Sequence, residues 1–561
     1  MNIKTKLLVV FICINSIMLA QTPSWVWARM PHGVGNDIGN SIASDASGNI
    51  YVTGQFVSDT IKFGAYTLVN HNRSNTYTDI FVAKYNSSGN VIWARNFGGY
   101  YDDAGKSIAL DASGNIYLTG NYNSGSIAFD TAVLTRQDTN STYNNVFITK
   151  LNNSGNVIWA KSAGGGYGDD VANSIAVNAS GESYITGKYQ SAVINFGTIM
   201  LTNPGFSSSF FIAQYDNTGN EIWANGSSAS SSVGNALTID GNGNLYVAGT
   251  FNNDTVSFGT TTLTNHYVNY QDVFLFKYSS AHNPIWARSA GGSIDDYATA
   301  IITDANQNIY LTGSFQNKFY ISTDSLMGGN SGWNDIYLAK YTSSGNLAWV
   351  KGITGDNYDN TYGITCDIFS YVYITGTFAS SYITFGGTTF NNTNGYGREF
   401  FVTKYDTLGQ AHWAARASGT GDDWGSGVTV SGTSVYVIGN TNNWPSIAFG
   451  TDTTIISNGN LDGFYLAKLD VITGEFENKN ADQSTFSVYP NPASGIVTIK
   501  CKIDKIVAIN VMDVLGNIVD QKWHFENDNY QIDLSHLAKG IYFIEVISTN
   551  TKFETKKIII H

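Results

Sequence analysis

The chain is poor in cysteine, proline and charged residues, and each shortage argues against a class of protein. Its 561 residues include 3 cysteines and 7 prolines, and only 13% are charged. So few cysteines cannot form the disulfide framework of a small secreted scaffold. The net charge is −13, without basic clusters. This argues against binding a nucleic-acid backbone or an anionic membrane surface, because both require clustered lysine and arginine.

Motifs of common catalytic and metal sites are also missing. The sequence contains no H-E-x-x-H, no paired-cysteine motif and no G-x-x-x-x-G-K, and its 8 histidines are scattered. We therefore expect a protein that is not an enzyme and needs no cofactor. The apolar run at the N-terminus is too short for a comfortable membrane span, and no other stretch is long enough.

The N-terminus carries the pattern of an export signal. Lys4 and Lys6 precede a mostly apolar run over residues 7–20. A charged start, a short apolar core and a small residue at the end predict a signal peptide over residues 1–20. The mature protein should be exported, and either soluble or attached to a surface by other means.

Glycine and aromatic residues are abundant, with 58 glycines and 14% aromatics. This composition predicts an all-β chain of many short strands joined by tight turns. A tryptophan recurs seven times at intervals of 63 to 66 residues. The seven positions are Trp27, Trp93, Trp159, Trp223, Trp286, Trp349 and Trp413.

The seventh repeat lacks its tryptophan, and one tryptophan lies ahead of the first complete repeat. A second motif lies nine residues before each of the last six tryptophans. It occurs once more at residues 467–469, but no tryptophan follows it nine residues later. The missing strand therefore lies at the N-terminus, in residues 25–29. This offset predicts a seven-bladed β-propeller over residues 22–470, closed by its N-terminal strand.

Each repeat reads as two hairpins with an insert between them. In the second repeat, residues 107–120 and 146–161 form the hairpins, and residues 127–135 form the insert. We expect the insert to add a short hairpin or loop on one side of the blade and the tryptophans to pack between blades or at their edges. A glycine after the second strand in every repeat predicts a close backbone approach or a special dihedral. These glycines are Gly54, Gly120, Gly187, Gly249, Gly313, Gly376 and Gly439.

The segment D-A-S-G-N-I-Y-V-T-G at residues 45–54 recurs with variations along the chain. It resembles the bacterial β-propeller repeat family known as SBBP, and the resemblance covers about residues 25–470. The family implies the propeller fold but not a particular function, since propellers host many activities.

The period stops after residue 470. Residues 471–485 read as a polar linker, and residues 486–561 as short alternating strands of a small Ig-like β-sandwich. Y-P-N-P at 489–492, L-G-N at 515–517 and L-A-K-G-I-Y-F at 537–543 resemble the type A C-terminal sorting domain of type IX secretion in Bacteroidota. The resemblance implies a Gram-negative host and the type IX machinery as partner of residues 486–561. In that family the domain is usually removed, and the cargo is released or attached to surface lipopolysaccharide.

In six of the seven repeats, an acidic residue lies five positions before the apolar residue of that repeat's first strand. In a propeller these positions approach the axial opening, where carboxylates could hold Ca²⁺. The alternative is that each acid accepts backbone N–H bonds in its own turn. The acids are Asp37, Asp103, Asp170, Asp296, Asp359 and Asp423.

Aromatic residues outside the repeat pattern are the candidates for a ligand surface. They are Tyr100, Tyr101, Tyr167, Trp333, Trp424 and Trp444. We expect an exported, non-catalytic binding scaffold for glycan or protein at the cell surface or in the medium. The alternatives are an enzyme that acts on an extracellular polysaccharide, with axial acids as general acid and base, and a structural surface or adhesion component.

Overall fold

The structure is a computed structural model that describes most of the chain after residue 22. The described residues are 23–73, 75–136, 143–205, 207–227, 231–329, 332–392, 395, 397–419, 421–442, 446–450, 453–456, 463–470, 486–491, 493, 495–501, 506–512, 518–526, 529–548 and 553–560. The predicted signal peptide and the predicted linker 471–485 lie outside them.

The chain divides into two compact units, residues 1–473 and residues 474–561. Every regular element within the described residues is a β-strand, so the all-β expectation is confirmed. None of these residues lies in a helix that could cross a membrane.

The first unit contains β1 to β42. They are β1 (Ser24–Arg29), β2 (Ile38–Ser44), β3 (Ile50–Phe56), β4 (Thr60–Phe63), β5 (Tyr66–Val69), β6 (Asp79–Tyr85), β7 (Val91–Phe97), β8 (Asp103–Leu110), β9 (Ile116–Tyr122), β10 (Ser126–Phe129), β11 (Ala132–Thr135), β12 (Asn145–Leu151), β13 (Val157–Gly164), β14 (Asp170–Val177), β15 (Ser183–Tyr189), β16 (Val193–Phe196), β17 (Ile199–Thr202), β18 (Ser209–Tyr215), β19 (Glu221–Gly226), β20 (Ser232–Ile239) and β21 (Leu245–Phe251). They continue with β22 (Thr255–Phe258), β23 (Thr261–Thr264), β24 (Asp272–Tyr278), β25 (Pro284–Gly292), β26 (Tyr297–Thr303), β27 (Ile309–Gln316), β28 (Lys318–Ile321), β29 (Asp324–Met327), β30 (Asn334–Tyr341), β31 (Leu347–Ile353), β32 (Asp359–Cys366), β33 (Val372–Phe378), β34 (Tyr382–Phe385), β35 (Thr388–Asn391), β36 (Glu399–Tyr405), β37 (Ala411–Gly419), β38 (Asp422–Ser431), β39 (Ser434–Asn442), β40 (Ser446–Phe449), β41 (Thr453–Ile456) and β42 (Gly463–Asp470).

Seven antiparallel sheets, numbered here in chain order, each contain four main strands. They are β2-β3-β6-β7, β8-β9-β12-β13, β14-β15-β18-β19, β20-β21-β24-β25, β26-β27-β30-β31, β32-β33-β36-β37 and β38-β39-β42-β1. The last sheet takes its fourth strand from the N-terminus, where Ser24 pairs with Asp470 and Arg29 with Leu466. The predicted N-terminal strand is therefore paired as the repeat offset indicated.

The inserts are short hairpins, one of the two forms predicted, and within the described residues five of them pair with the preceding sheet. Hairpin β16–β17 of the third repeat pairs with β13 of sheet 2, and β28–β29 and β40–β41 extend sheets 4 and 6 in the same way. Isolated bridges join Gly98 to Ala128 and His32 to Lys62 at two further junctions. At these five junctions the insert thus covers part of the outer edge of the sheet before it, which a sheet otherwise leaves open to unwanted pairing.

The first strand of each sheet, called the inner strand here, contacts the inner strands of both neighbouring sheets. The series continues from sheet 7 to sheet 1, where Gly39 N donates to Asn440 Oδ1 over 2.8 Å and Asn440 Nδ2 donates to the Gly39 carbonyl over 3.1 Å. Phe81 and Phe464 stack at the same junction, with 4.7 Å between ring centroids. Apolar cores therefore lie between adjacent sheets and include the pair formed by the first and last.

The periodic tryptophans connect successive sheets. Trp93 of sheet 1 donates Nε1–H to the Asn153 carbonyl of sheet 2 over 3.1 Å, and its ring lies against Gly155. Trp27 makes the corresponding bond from sheet 7 to Ser87 of sheet 1 over 3.2 Å. The prediction that these tryptophans pack between repeats agrees with their positions.

The glycine of each second strand lies against the inner strand. A Cβ built on Gly120 would stand 2.0 Å from the Ala104 carbonyl oxygen, and the other repeats show the same approach. The inner strand carries a one-residue β-bulge at this level, as between Gly105 and Ser107. The close approach, and not a positive φ, explains the glycine.

The second unit contains two four-stranded antiparallel sheets around one apolar core. Its strands are β43 (Phe486–Tyr489), β44 (Ile496–Cys501), β45 (Ile506–Met512), β46 (Ile518–Asp520), β47 (Trp523–Glu526), β48 (Asn529–Asp533), β49 (Gly540–Ser548) and β50 (Phe553–Ile560). The sheet orders are β43-β44-β48-β47 and β46-β45-β49-β50. Two sheets packed on a shared core are the arrangement expected of a small β-sandwich.

Substitution of a repeat glycine should be costly. Gly120→Ala places a methyl group against the Ala104 carbonyl, so we expect a loss of about 2–3 kcal/mol of unfolding free energy, typical of overpacking. Gly125→Ala is the matched control, because nothing lies within 4 Å of its added Cβ. Urea unfolding measures both changes. Equal stability of the two variants would contradict the steric explanation.

Removal of the N-terminal strand should destabilise the first unit. Deletion of residues 22–30 takes away β1 and the buried side chains of Trp27 and Ala28. We expect the melting temperature to fall by at least about 5 °C, since several kcal/mol of packing and pairing are lost. Val26→Ala, at an exposed position of the same strand, should leave it nearly unchanged. An unaltered melting temperature of the deletion variant would refute a stabilising role for β1.

Candidate functional site

One end of the seven sheets carries the long connections of the chain. The inner and third strands of each sheet begin at this end, and the second and fourth strands end there. The loops from a second to a third strand therefore lie at the same end as the loops from a fourth strand to the next inner strand. We call it the loop face. Its described loops include residues 71–73, 75–78, 98–102, 143–144, 165–169, 265–271, 293–296, 328–329, 332–333 and 354–358. The opposite end, the turn face, carries the short D-x-x-G-N turns and the turns between third and fourth strands.

Three aromatic rings contact one another where the first loops meet. Tyr77 lies 6.3 Å from Tyr100 and 5.2 Å from Tyr101 by ring centroids, and Tyr100 and Tyr101 are 5.1 Å apart. Tyr100 is 65% exposed. The predicted candidates Tyr100 and Tyr101 thus belong to one cluster, and the structure adds Tyr77 from the preceding repeat.

Two further aromatic pairs occupy equivalent junctions. Tyr143 and Tyr167 are 6.5 Å apart, and Tyr167 is 77% exposed. Trp333 and Tyr358 meet edge to face at 4.4 Å. In both pairs, one ring precedes a third strand and the other precedes the inner strand of the next sheet. The sequence pointed to Tyr167 and Trp333 but not to their partners, because proximity across a junction is not visible in the chain order.

The remaining aromatic candidates do not join these clusters. Trp424 lies within β38, half-buried, and its carbonyl accepts a hydrogen bond from the Tyr465 hydroxyl over 3.3 Å. Trp444 lies outside the described residues. Tyr267 and Tyr270, which the sequence did not single out, are exposed on the loop face.

Carboxylates next to the axial acids hold the aromatic loops in place. Asp102 Oδ1 accepts the N–H of Thr78 over 2.9 Å, and Asp169 Oδ1 accepts the N–H of Asn144 over 2.9 Å. Asp295 makes the same bond to Gln271. Each bond joins the loop before a third strand to the loop that leads into the next sheet. The aromatic rings therefore stand on loops that are tied together, and not on independent ones.

Two histidines strengthen the same loops. His71 and His266 each place Nδ1 against a buried carboxylate, Asp79 at 2.6 Å and Asp272 at 2.7 Å. The hydrogen bond to the carboxylate raises the pKa of both imidazoles above the ordinary value. Protonation of these histidines therefore stabilises the loop face, and this contribution is lost as the pH rises through their raised pKa values.

The predicted axial acids are buried at or beside the start of the inner strands. Asp103 Oδ1 accepts the backbone N–H groups of Asn123 and Ser124, and its Oδ2 accepts the Gly99 N–H and the Ser124 hydroxyl, both over 2.8 Å. Asp37, Asp170 and Asp359 use a serine in the same way. Most of these donors lie at the end of the second strand, about 20 residues after the acid in the chain. They do not come only from the acid's own turn.

Burial raises the pKa of every one of these carboxyl groups, and the hydrogen bonds oppose part of the rise. The pKa is raised to about 6 for Asp37 and Asp170, to about 7 for Asp103, Asp359 and Asp423, and to about 9 for Asp296. No three His, Cys, Asp or Glu side chains among the described residues are grouped so as to hold a metal ion. The calcium site stays a prediction, and the bonds around Asp103 show a structural use for the acid.

Comparisons with known proteins assign the second unit. Residues 487–561 match the family model described as a secretion system C-terminal sorting domain. This tail directs a protein to the type IX secretion machinery. The protein is therefore exported and is secreted or located at the cell surface.

The relatives that the chain matches leave the activity of its first unit open. The chain is 25% identical over 395 residues to an uncharacterized WD repeat-containing protein of Acanthamoeba polyphaga mimivirus, covering 58% of this chain and 28% of that protein. It is 37% identical over 78 residues to an endo-acting ulvan lyase of Formosa agariphila, covering 14% of this chain and 15% of the lyase. The chain thus spans less than a third of the length of either relative.

Two solved structures are similar to the chain at low sequence identity. A protein of unknown function from Dyadobacter fermentans has a TM-score of 0.37 at 9% identity, covering 80% of this chain and 99% of that one. The endosialidase of phage phi92 has a TM-score of 0.36 at 10% identity, covering 95% of this chain and 87% of that one.

The buried acids predict a pH dependence of stability. The folded-state pKa values of Asp37 and Asp103, about 6 and about 7, lie above the unfolded value of 3.8, so the folded chain binds more protons between these limits. Stability should therefore fall as the pH rises from about 4 to about 7. Asp103→Asn removes one titrating group and turns an amide N–H toward the Gly99 N–H, which costs about 1–3 kcal/mol. The difference from wild type should shrink toward pH 8. Urea unfolding across this range tests it, and a constant difference would contradict it.

Proposed function

We propose that the seven sheets form a closed seven-bladed β-propeller of SBBP-type repeats, with β1 as the closing strand. Three observations support this. The inner strands contact one another in sequence around the series, β1 pairs with β42, and Trp27 of the last sheet bonds to Ser87 of the first. The repeat motif and the sorting tail further support a host among the Bacteroidota.

We infer that this propeller is a non-catalytic binding scaffold that works outside the cell. Exposed aromatic clusters at three junctions of the loop face support a glycan ligand. Rings with one free face stack on the apolar face of a pyranose, and tyrosine and tryptophan add a polar group for its hydroxyls. Because the loops are tied to each other through Asp102 and Asp169, the rings are held before the ligand arrives, which lowers the entropic cost of binding.

The alternative of a polysaccharide-degrading enzyme has less support. General acid and base catalysis requires two carboxyl groups that face one reacting bond. Asp103 instead directs both oxygens at the Gly99 N–H and at donors that follow the second strand of its own sheet, and its equivalents in three other sheets are bound to a serine in the same way. A role in binding therefore accounts better for the exposed aromatics than a catalytic one.

A glycan array with the full chain tests the proposal, in calcium and in EDTA. We expect saturable binding to at least one glycan class. Tyr167→Ala and Trp333→Ala should each weaken it by about tenfold, since an aromatic contact is worth about 1 kcal/mol or more. Phe369→Ala is the matched control, because this exposed ring lies on the turn face.

The outcomes separate the possible explanations. Loss of binding in both loop-face variants, with the control unchanged, would support the loop face as the site. Loss of binding in EDTA would add a metal to it. A blank array would refute the glycan proposal, and equal weakening by Phe369→Ala would refute the loop face as its location.

A further inference from the structure

The β-bulges of the inner strands place one extra side chain per sheet at the same level. These residues are Asn40, Lys106, Asn173, Asn235, Thr299, Tyr362 and Ser426. Since the inner strands contact one another around the series, the bulge residues form a ring near the loop-face end of the axis. None of them is fully buried. We call them the bulge ring.

Asparagine at this position joins neighbouring inner strands. Asn40 Nδ2 donates to the Gly105 carbonyl over 2.8 Å, and Asn235 Nδ2 donates to the Ala298 carbonyl over 2.8 Å. Asn173 makes the equivalent bond to Gly234 over 3.0 Å. In three sheets, therefore, the bulge side chain satisfies a backbone acceptor of the next sheet.

Lys106 breaks this pattern. The corresponding acceptor in the next sheet is the Ala172 carbonyl, but the Lys106 ammonium makes no hydrogen bond or ion pair within the described residues. Burial alone lowers its pKa, and no carboxylate opposes the effect. The Lys106 side chain is half-buried, but its ammonium is not among the buried polar atoms, so an anion can reach it. An ammonium that no carboxylate of the chain neutralises attracts anionic ligands.

A second part of the ring offers an aromatic surface. Tyr362 belongs to sheet 6, three sheets away from Lys106 around the ring in one direction and four in the other. It is exposed, unlike the buried tyrosines of the second strands.

We propose that the bulge ring binds an acidic saccharide, with Lys106 as the cation for its anionic group and Tyr362 as a stacking surface. This rests on the proposed glycan-binding function and names its ligand class. The shared chemistry is a carboxylate or sulfate ester on a sugar ring. Because the chain has a net charge of −13, it repels anions except where cations lack a partner. The ring therefore selects where an acidic glycan docks.

Lys106→Asn is the decisive variant, because Asn40, Asn173 and Asn235 show that this side chain fits the position. Calorimetric titration of the full chain would use an oligogalacturonate, a sulfated glucan oligosaccharide and an uncharged glucan oligosaccharide. We expect the wild type to bind one of the anionic probes at least tenfold more tightly than the uncharged one. Lys106→Asn should weaken that anionic probe by about 10- to 100-fold, the range of a hydrogen bond to a charged group. Its melting temperature should stay equal or rise.

Lys62→Asn is the matched control, because it removes the same charge from an exposed position on an insert hairpin. Tyr362→Thr, which copies Thr299 of sheet 5, should weaken the same probe and keep the fold. Preference for galacturonate or for the sulfated probe identifies the anionic group, and either preference supports the proposal.

Three results would overturn the proposal. If acidic and uncharged probes bind equally, the bulge ring is not the selective element, although the proposed glycan-binding function survives. If Lys106→Asn and Lys62→Asn weaken binding to the same extent, only the overall charge matters. If no saccharide binds at all, both this inference and the proposed function fail.

Discussion

The first unit depends on the close approach of each inner strand to a glycine of its second strand. A Cβ at Gly120 would stand 2.0 Å from a backbone oxygen, so no other residue fits without movement. At this level the inner strand bulges, and the bulge turns one side chain toward the next sheet, where Asn40 bonds to the Gly105 carbonyl. The same contact thus shapes the sheet, joins it to its neighbour and positions the residues of the bulge ring. Packing and the proposed binding site share one origin.

Much of this architecture could be predicted because it is periodic. The spacing of the tryptophans and the missing tryptophan after residue 469 predicted that the N-terminal strand belongs to the last sheet, and β1 pairs with β42. The glycines were predicted from recurrence alone. The pairing of five inserts with the preceding sheet was not predicted, since chain order assigns β16 to its own repeat although it pairs with β13. Periodicity reports what each repeat contains but not which neighbour it contacts.

The candidate site was less predictable because it consists of departures from the repeat. Tyr167 and Trp333 stood out as aromatics without counterparts, but Tyr143 and Tyr358 complete their clusters only through contacts across a junction. The sequence predicted that Asp103 accepts backbone N–H bonds but not which residues donate them, since most of its donors follow the second strand of the sheet. Lys106 belongs to no motif. Its significance appears only when it is compared with the asparagines that occupy its position in three other sheets.

The pairing of β1 with β42 also has a kinetic meaning. The two strands are separated by more than 400 residues of chain, and contacts of this kind form late because the loop between them must first be closed. During synthesis and export, β1 emerges long before β42 and cannot pair until β42 has followed. Until then β1 has no partner strand, and the side chain of Trp27 lacks the core into which it packs. The chain therefore completes its first unit only after nearly all of it has been delivered, which favours a route that keeps it unfolded until then.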